Sequence, residues 1–280
     1  QGRGTVTGDL QQLEVEQVVA VPDQITLVAT LNDPLEQLSY VASARWDSVS
    51  LPVGERTLTL EEGDLGLKGT LESYTARLST RAVLTDAPVA QIVAVAEGNF
   101  DVVTIAAIDA QLLGGSVSGS GSFEIESREL SLDLIASAVN PESLVPGWSQ
   151  PVDGRMVLSA ANSGAVSATL QLTAGRSSLS FSGGVAPTID ATFAVEAADL
   201  AELHERADGV LSASGVIAGT VEQPLGEIRL RGSELRWDSI AVAALDGHLS
   251  SDAEGAFEIA LLAEQLGAPG SNAYNLQLEA

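Results

Sequence analysis

The chain of 280 residues carries 38 Asp and Glu against 13 Lys and Arg, which gives a formal net charge of −25. So few cations exclude a nucleic-acid-binding surface, because binding to a phosphate backbone depends on Lys and Arg. The 45% hydrophobic content excludes global disorder, and the absence of cysteine excludes disulfides, thiol catalysis and cysteine-based zinc sites.

Apolar and polar residues alternate with a period of two along most of the chain. This pattern predicts antiparallel strands with one apolar face. The clearest examples are residues 58–60, 64–71, 130–134, 166–173, 178–182, 189–196, 257–259 and 276–278.

Glycine-bearing segments at short intervals predict tight turns between these strands, because glycine adopts the positive φ that hairpins require. The predicted turns are at 62–64, 114–115, 162–164, 183–184, 208–209, 246–247 and 254–255. Many short strands with closely spaced turns are typical of a barrel, a sandwich or an elongated sheet.

Two segments interrupt the strand pattern and predict short helices. Residues 199–207 begin with Asp199 and carry Glu202 three residues later, which is the arrangement of a capping box. Residues 140–145 begin with Asn140 followed by proline, which favours a single helical turn.

The chain also repeats parts of itself. An Asp-Gly pair follows each predicted helix, at 153–154 and at 208–209, and the tetrapeptide Arg-Trp-Asp-Ser occurs at both 45–48 and 236–239. Degenerate repeats of strand units are typical of a quasi-linear stack. We therefore expect one continuous repetitive β region over 1–280, with a possible kink at the proline-rich stretch 141–151.

No residue cluster predicts catalysis or metal binding, so we expect neither an enzyme nor a cofactor. His204 and His248 lack a second ligand at zinc spacing, and they are interpreted as a solvated helix residue and a strand residue. The glycine-rich run 113–123 lacks the Gly-Lys-Ser/Thr ending of a phosphate loop. Trp46 and Trp237 are expected to pack within their own repeats.

Two runs resemble the TamB/AsmA-like family. Residues 112–123 resemble its module of a strand, Gly-Gly and a Val-x-Gly-x-Gly strand. Residues 198–235 resemble its frame of a short helix, two glycine-bearing strand segments, a Gly-Thr-x-x-x-Pro turn and a further strand. The clearest match covers 110–262.

This resemblance implies an all-β fold: an elongated, curled antiparallel sheet that forms a U-shaped open groove with an apolar lining, with one or two very short helices. It implies a periplasmic segment of a Gram-negative bacterium that conducts phospholipid acyl chains between the inner and outer membranes and supports outer-membrane biogenesis. The parent protein would be anchored in the inner membrane and would meet a TamA-like outer-membrane barrel. The chain would be a fragment of that parent and would not itself span the membrane.

The alternating apolar positions are the candidate lining of this groove, and either face of the sheet could be the concave one. The candidates are Leu130, Leu132, Leu134, Leu170, Leu172, Phe181, Phe193, Val195, Leu230, Phe257 and Ile259. Two alternatives stay open. One is a scaffold that accepts client β-strands at its edges during outer-membrane protein assembly. The other is a closed β-solenoid or sandwich segment of an adhesin.

Overall fold

The computed structural model describes residues 2–20, 23–35, 37–53, 56–84, 88–99, 101–186, 188–220, 223–251, 257–267 and 274–279. The described residues are almost entirely β and form nineteen strands. Contacts divide the chain into two compact units, Gln1–Leu134 and Ile135–Ala280. Each unit is described by itself below. A single continuous region and a kink at 141–151 stay predictions.

The first unit is a series of long strands. They are β1 (Gly2–Gly8), β2 (Gln12–Ala20), β3 (Gln24–Asn32), β4 (Ser39–Val53), β5 (Arg56–Thr70), β6 (Tyr74–Leu84), β7 (Ala90–Gly98), β8 (Val102–Leu112) and β9 (Gly115–Glu124). Strand β10 (Glu129–Val139) contains the division between the units.

The second unit continues with strands and holds the helical segments. The strands are β11 (Val152–Ala160), β12 (Val166–Ala174), β13 (Ser177–Ala186), β14 (Ile189–Ala197), β15 (Ala207–Gly219), β16 (Pro224–Trp237), β17 (Ile240–Ser251), β18 (Phe257–Leu266) and β19 (Tyr274–Glu279). A 3-10 turn spans Pro141–Ser143, and helix α1 spans Leu200–Leu203.

Strands pair with their neighbours in the sequence. In the first unit this holds for every step from β1 to β9, and in the second for every step from β11 to β19. All these ladders are antiparallel. The predicted all-β, antiparallel and repetitive fold class is therefore confirmed.

Four of the predicted turns are wrong, because their glycines lie inside long strands. At 62–64 the register shifts by a residue, so Gly63 belongs to a β-bulge in β5, whereas Gly209 lies in β15 opposite a bulge at 234–235 in β16. The pair 183–184 lies near a similar shift in β13, and 246–247 is regular strand within β17. Glycine inside a strand marks a bulge or a close approach as often as a turn.

Two other predicted turns are confirmed. The β8–β9 hairpin turns at Leu113 and Gly114, which both have positive φ, 51° and 73°. This is the backbone geometry of a type I′ turn, which matches the twist of the flanking strands. Residues 162–164 also form a turn, with Gly164 at φ 82°. The predicted turn at 254–255 lies outside the described residues.

Both predicted helices exist, but they are shorter than expected. Asp199 caps α1 by accepting a hydrogen bond from the backbone N–H of Ala201, at 3.0 Å. The helix ends at Leu203 and not at residue 207, because Ala207 already begins β15. Asn140 caps the 3-10 turn in the same way, accepting from the N–H of Glu142 at 3.0 Å.

The hydrophobic core of the described residues is small. The hydrophobic residues that are buried are almost all alanines: Ala82, Ala110, Ala174, Ala191, Ala197, Ala207 and Ala263, together with Leu203. Among the described side chains, no large one is completely buried. The larger apolar side chains therefore lie half-exposed on the faces of the sheet.

Candidate functional site: an apolar face and its cap

The pairing register of the second unit brings predicted lining residues onto one face. Leu170 lies opposite Phe181, and Phe181 lies opposite Phe193 on the next strand. Leu172 and Val195 lie two positions from Leu170 and Phe193 on their strands, so they share this face. Five predicted positions from β12, β13 and β14 thus make one apolar surface.

The same face continues over the following strands of this unit. Val195 lies opposite Ala213, and Ala213 opposite Leu230. Ile228 lies two positions before Leu230 and therefore shares its face. Ile228 lies opposite Leu249, and Leu249 lies opposite Ile259 on the next strand. Leu230 and Ile259 therefore lie on the surface predicted for them. Phe257 begins β18, but its side chain lies outside the described residues.

The remaining candidates lie in the first unit. Leu130, Leu132 and Leu134 alternate along β10 and are all half-buried. The terminal methyl groups of Leu132 and Leu134 occupy the space that side chains at Gly121 and Gly119 would fill. The glycine-rich strand β9 thus supplies room for the leucines of the strand beside it.

Sequence reasoning missed most of the apolar face of the first unit. The register joins Leu27, Ala44, Leu65, Leu78 and Ala94 in one row across β3 to β7. The alternation at 64–71 was a usable signal for Leu65. No such signal marked Ala44 or Ala94, because a small apolar residue is equally common on either face of a sheet.

A cap formed by two irregular segments covers one end of the face in the second unit. Trp148 pairs with His204 in an isolated β-bridge. The N–H of Ser149 donates to the carbonyl of Leu203 at 2.9 Å, and the N–H of Glu205 donates to the carbonyl of Gly147 at 3.2 Å. We call residues 146–150 together with 199–206 the cap. The predicted helix at 199–207 thus contacts the segment that follows the other predicted helix, not that helix itself.

His204 is half-exposed, and it caps α1 at its C-terminal end instead of lying on a face of the helix. Its Nε2 atom lies 3.0 Å from the carbonyl oxygen of Pro146, and its ring centroid lies 4.7 Å from that of Trp237. His204 is therefore a structural residue of the cap. His248 lies within β17, as predicted, with its Nδ1 3.8 Å from a carboxylate oxygen of Glu227.

Apolar contacts and an arginine hold the cap on the strands. Leu203 packs against Ala174 and Ala197 in a buried cluster of the second unit. Arg176, in the β12–β13 turn, contacts Asp199 at 2.8 Å and Glu202 at 2.9 Å. Glu202 therefore binds the arginine rather than closing the predicted capping box.

This ion-pair cluster shifts the pKa values of two of its side chains. The hydrogen bond from Arg176 lowers the pKa of Glu202 below its ordinary value, and the same bond raises the pKa of Arg176. A second pair behaves alike, because a hydrogen bond from Arg206 lowers the pKa of Asp238. Both carboxylates are thus charged at neutral pH and pair with these arginines.

Beneath the cap is a cavity of about 220 Å³. Its apolar walls include Trp148, Leu172, Leu179, Val195 and Leu203. Leu172 and Val195 belong to the predicted lining, so the cavity is continuous with the apolar face. Trp148 and Leu203 entered no site prediction, because the sequence did not show that their segments fold over the sheet.

One polar side chain at the wall of this cavity is buried. Ser177 is only 6% exposed, and its Oγ is buried without a hydrogen-bond partner. It lies opposite Ala174 in the register, on the same face as Leu179. A buried polar atom normally finds a partner, and among the described side chains this hydroxyl and the Nε1 of Trp46 do not.

The chain matches the family model described as TamB, N-terminal domain, twice in succession, over residues 2–165 and 158–280. The chain belongs to the TamB family. This agrees with the resemblance inferred from residues 112–123 and 198–235, and it places the chain among proteins of the bacterial envelope. No curated protein and no solved structure gives a match.

Within the part of this TamB-family chain that the structure describes, the helical segments are Pro141–Ser143 and Leu200–Leu203. Within the described ranges, none of the helices is long and apolar enough to cross a membrane. Those ranges also contain no group of three or more His, Cys, Asp or Glu residues arranged to hold a metal ion.

Proposed function

We propose that this TamB-family chain carries phospholipid acyl chains along its apolar faces, in the periplasm, between the inner and outer membranes. It would do so without a catalytic step or a cofactor, as part of outer-membrane biogenesis. Its parent protein would be anchored in the inner membrane and would meet a TamA-like outer-membrane barrel. The observation that carries this proposal is the half-exposed apolar face of the second unit.

The energetics of such a face suit an acyl chain. Each buried methylene contributes about 0.8 kcal/mol, so a long chain gains substantial free energy without any specific contact. Aliphatic side chains dominate the surface, and Ile259 is 37% exposed. Monomeric proteins rarely leave large apolar patches uncovered unless those patches bind something.

The polar residues lie between the apolar positions and face the other way. On β12, Ser167, Thr169, Gln171 and Thr173 are exposed and alternate with the half-buried leucines. With a net charge of −25, the chain is repelled from anionic membrane surfaces. This charge favours a segment that passes between membranes over one that lies on them.

Site-specific photo-crosslinking in the 280-residue chain tests the proposal. A benzophenone amino acid at Leu170 or Phe193 should capture phospholipid, whereas the same probe at Gln171 or Thr192 should capture little. These controls are adjacent in sequence but lie on the opposite, exposed face. Equal capture at both pairs of positions, or none at either, would contradict acyl-chain binding on this face.

A charge substitution gives an independent measurement. Leu170→Asp should abolish phospholipid co-purification in native mass spectrometry, while Gln171→Asp should leave it unchanged. Circular dichroism confirms that both variants keep their strands. If unfolded outer-membrane protein segments are captured in place of lipid, the strand-accepting scaffold becomes the better proposal. A closed adhesin segment is less favoured, because it needs fully buried large side chains.

A further inference from the structure

An open cleft lies over Gly66, on the face of the first unit opposite to the apolar row that contains Leu65. Gly66 stands between Leu65 and Leu67 on β5, so the side chain that it lacks would point to the other face of the sheet. Nothing lies within 4 Å of the position that its Cβ atom would take. Strands β4 to β7 border a space of about 560 Å³ there. A glycine inside a strand often marks a place where a ligand approaches the backbone closely.

Two cationic side chains border this cleft. Lys68, the only lysine of the chain, lies two positions from Gly66 on β5, and Arg77 lies opposite Gly66 on β6. Lys68 and Arg77 are therefore diagonal neighbours on adjacent strands, and such neighbours are about 7–8 Å apart. The ends of two side chains of this length can meet over one ligand group.

Neither of these cations has a counter-ion among the described residues. Other arginines of this unit do: Arg45 pairs with Asp64 at 2.8 Å, and Arg81 pairs with Glu61 at 3.2 Å. In a chain with a net charge of −25, two adjacent cations that make no such ion pair stand out. They repel each other, and an anion bound between them would remove this repulsion.

The side chains around the cleft suit a phosphate monoester. The hydroxyl groups of Ser43 and Thr75 border the same space, so hydroxyl, ammonium and guanidinium donors all surround it. The three terminal oxygens of a phosphate monoester can use all of these donors, whereas a planar carboxylate can use fewer. Val41, which is 59% exposed, and Val95 form apolar sides that suit the organic part of such an ester.

A carboxylate faces the cations from the next strand. Glu97 lies opposite Thr75 on β7 and diagonal to Arg77, yet it makes no ion pair with the described residues. Asp64 also shares this face, but Arg45 balances its charge. Glu97 therefore weakens the binding of an anion without bordering the cleft, and its neutralisation should strengthen that binding.

We propose that this cleft binds a phosphate monoester, with the phosphate held between Lys68 and Arg77 and the organic part against Val41 and Val95. The site goes beyond the proposed function, because acyl chains on the apolar row would lie on the opposite face of the sheet. It gives the polar face of the first unit a specific ligand, in a chain that as a whole repels anions.

The test is a titration of the 280-residue chain with butyl phosphate at neutral pH, followed by nuclear magnetic resonance of its backbone amides. The amides of residues 66–68 and 75–77 should shift to saturation. Inorganic phosphate should bind about fivefold more weakly, because it lacks the methylene groups that would contact the valines. Butanol should give no saturable shift, because it lacks the charge.

A lipid in the same titration identifies the source of the ester. Dihexanoyl phosphatidic acid, kept below its micellar concentration, presents the same monoester on a diacylglycerol. Tighter binding than that of butyl phosphate supports the cleft as a site for a lipid headgroup. Weaker binding supports it as a site for a small soluble ester.

Charge substitutions separate this site from general electrostatic attraction. Lys68→Gln and Arg77→Gln should each weaken butyl phosphate binding about fivefold, the effect of one charge-assisted hydrogen bond at an exposed site. Glu97→Gln should strengthen it about twofold. Arg128→Gln is the matched control, because Arg128 is another exposed cation of this unit without an ion pair among the described residues. It lies in the β9–β10 turn, several strands away, and should change the affinity by less than about twofold.

Gly66→Val tests the cleft itself. This substitution fills the space without changing any charge, and binding should be lost. The variant should fold, because no atom lies within 4 Å of the added Cβ and Gly66 is not among the glycines with positive φ. Circular dichroism confirms that its strands are kept.

Three results would overturn the inference. They are unchanged affinity in folded Gly66→Val, equal weakening by Arg128→Gln and Lys68→Gln, and saturable shifts with butanol equal to those with butyl phosphate. None of them bears on phospholipid capture at Leu170 or Phe193, which lie in the second unit, so the two proposals fail separately.

Discussion

The same tetrapeptide, Arg-Trp-Asp-Ser, occurs once in each unit, and its arginine makes the same kind of ion pair in both. Arg45 lies opposite Asp64 and pairs with it at 2.8 Å. Arg236 lies opposite Asp208 and pairs with it also. In both places, the arginine faces an aspartate on a neighbouring strand, at the side of the sheet opposite to the tryptophan.

The tryptophans have small residues opposite them, but their surroundings differ. Trp46 lies against Gly63, and its Nε1 is buried without a hydrogen-bond partner. Trp237 lies opposite Ala207 and stays 49% exposed, with the guanidinium carbon of Arg206 5.6 Å from its ring centroid. One ring is packed into the sheet, and the other supports the cap.

The chain also continues differently after the tryptophan. Asp47 lies inside the long strand β4, whereas Asp238 has φ 51° and forms the turn between β16 and β17. The side chain of Arg206 donates to the carboxylate of Asp238, and the backbone carbonyl of Arg206 accepts a hydrogen bond from the backbone N–H of Asp238 at 2.8 Å. A short motif therefore sets which residues share a face, while partners from elsewhere decide whether the strand continues or turns.

The largest difference should come from removing each ring. Trp46→Ala should lower the free energy of unfolding by about 3 kcal/mol, because it opens a void over Gly63. Trp237→Ala should cost only about 1 kcal/mol, because half of that ring is already exposed. Urea denaturation measures both, and equal losses would mean that the two tryptophans are equivalent.

Gly63 lies opposite Trp46 on the neighbouring strand, so a substitution there tests the same packing. A Cβ atom at this position would overlap the indole ring of Trp46, so Gly63→Ala should destabilise the chain by about 1–3 kcal/mol. Gly66→Ala, three residues along the same strand, is the matched control, since nothing lies within 4 Å of its added methyl group. A similar urea midpoint for both variants would disprove close packing at Trp46.

Acidification should loosen the cap of the second unit. The pKa values of Glu202 and Asp238 are lower in the folded chain than in the unfolded chain. Their contribution is thus complete above the ordinary carboxyl pKa of about 4 and is lost as the pH falls below it through the depressed values. Hydrogen exchange of residues 199–206, compared near pH 6 and pH 3 after correction for intrinsic rates, should show the loss.

Neutralising one aspartate of each tetrapeptide should affect only one site. Asp238→Asn removes the partner of Arg206 and should increase amide exchange at 236–242. Asp47→Asn should leave exchange around β4 unchanged, because Asp47 makes no ion pair with the described residues. Faster exchange in both variants would mean that the aspartate has the same role in the two units.

The smallest effect concerns a single N–H group. Trp46→Phe removes the buried, unpaired Nε1 and should change stability by less than about 1 kcal/mol, because the lost ring area offsets the relieved desolvation. A loss as large as that of Trp46→Ala would show that the N–H is bonded after all.

Period-two alternation was enough to predict the fold class and most of the face of the second unit. Leu170, Phe181 and Phe193 are on one surface because residues directly opposite each other on an antiparallel ladder have their side chains on the same face of the sheet. The cap could not be predicted, because it depends on Trp148 meeting His204 across 55 residues of intervening chain. The glycine of the bulge at 62–64 and the glycine at 208–209, which lies opposite a bulge, were interpreted as parts of turns, because glycine serves both.

Pairing between successive strands also affects how such a chain can fold and evolve. Because the paired strands described for each unit contact their sequence neighbours, loop closure is short at every step and a growing edge can add one hairpin at a time. Such a chain can therefore acquire structure progressively as it becomes available for folding. Duplicating or deleting a hairpin changes the length of the ladder by a fixed increment and leaves the other pairings intact.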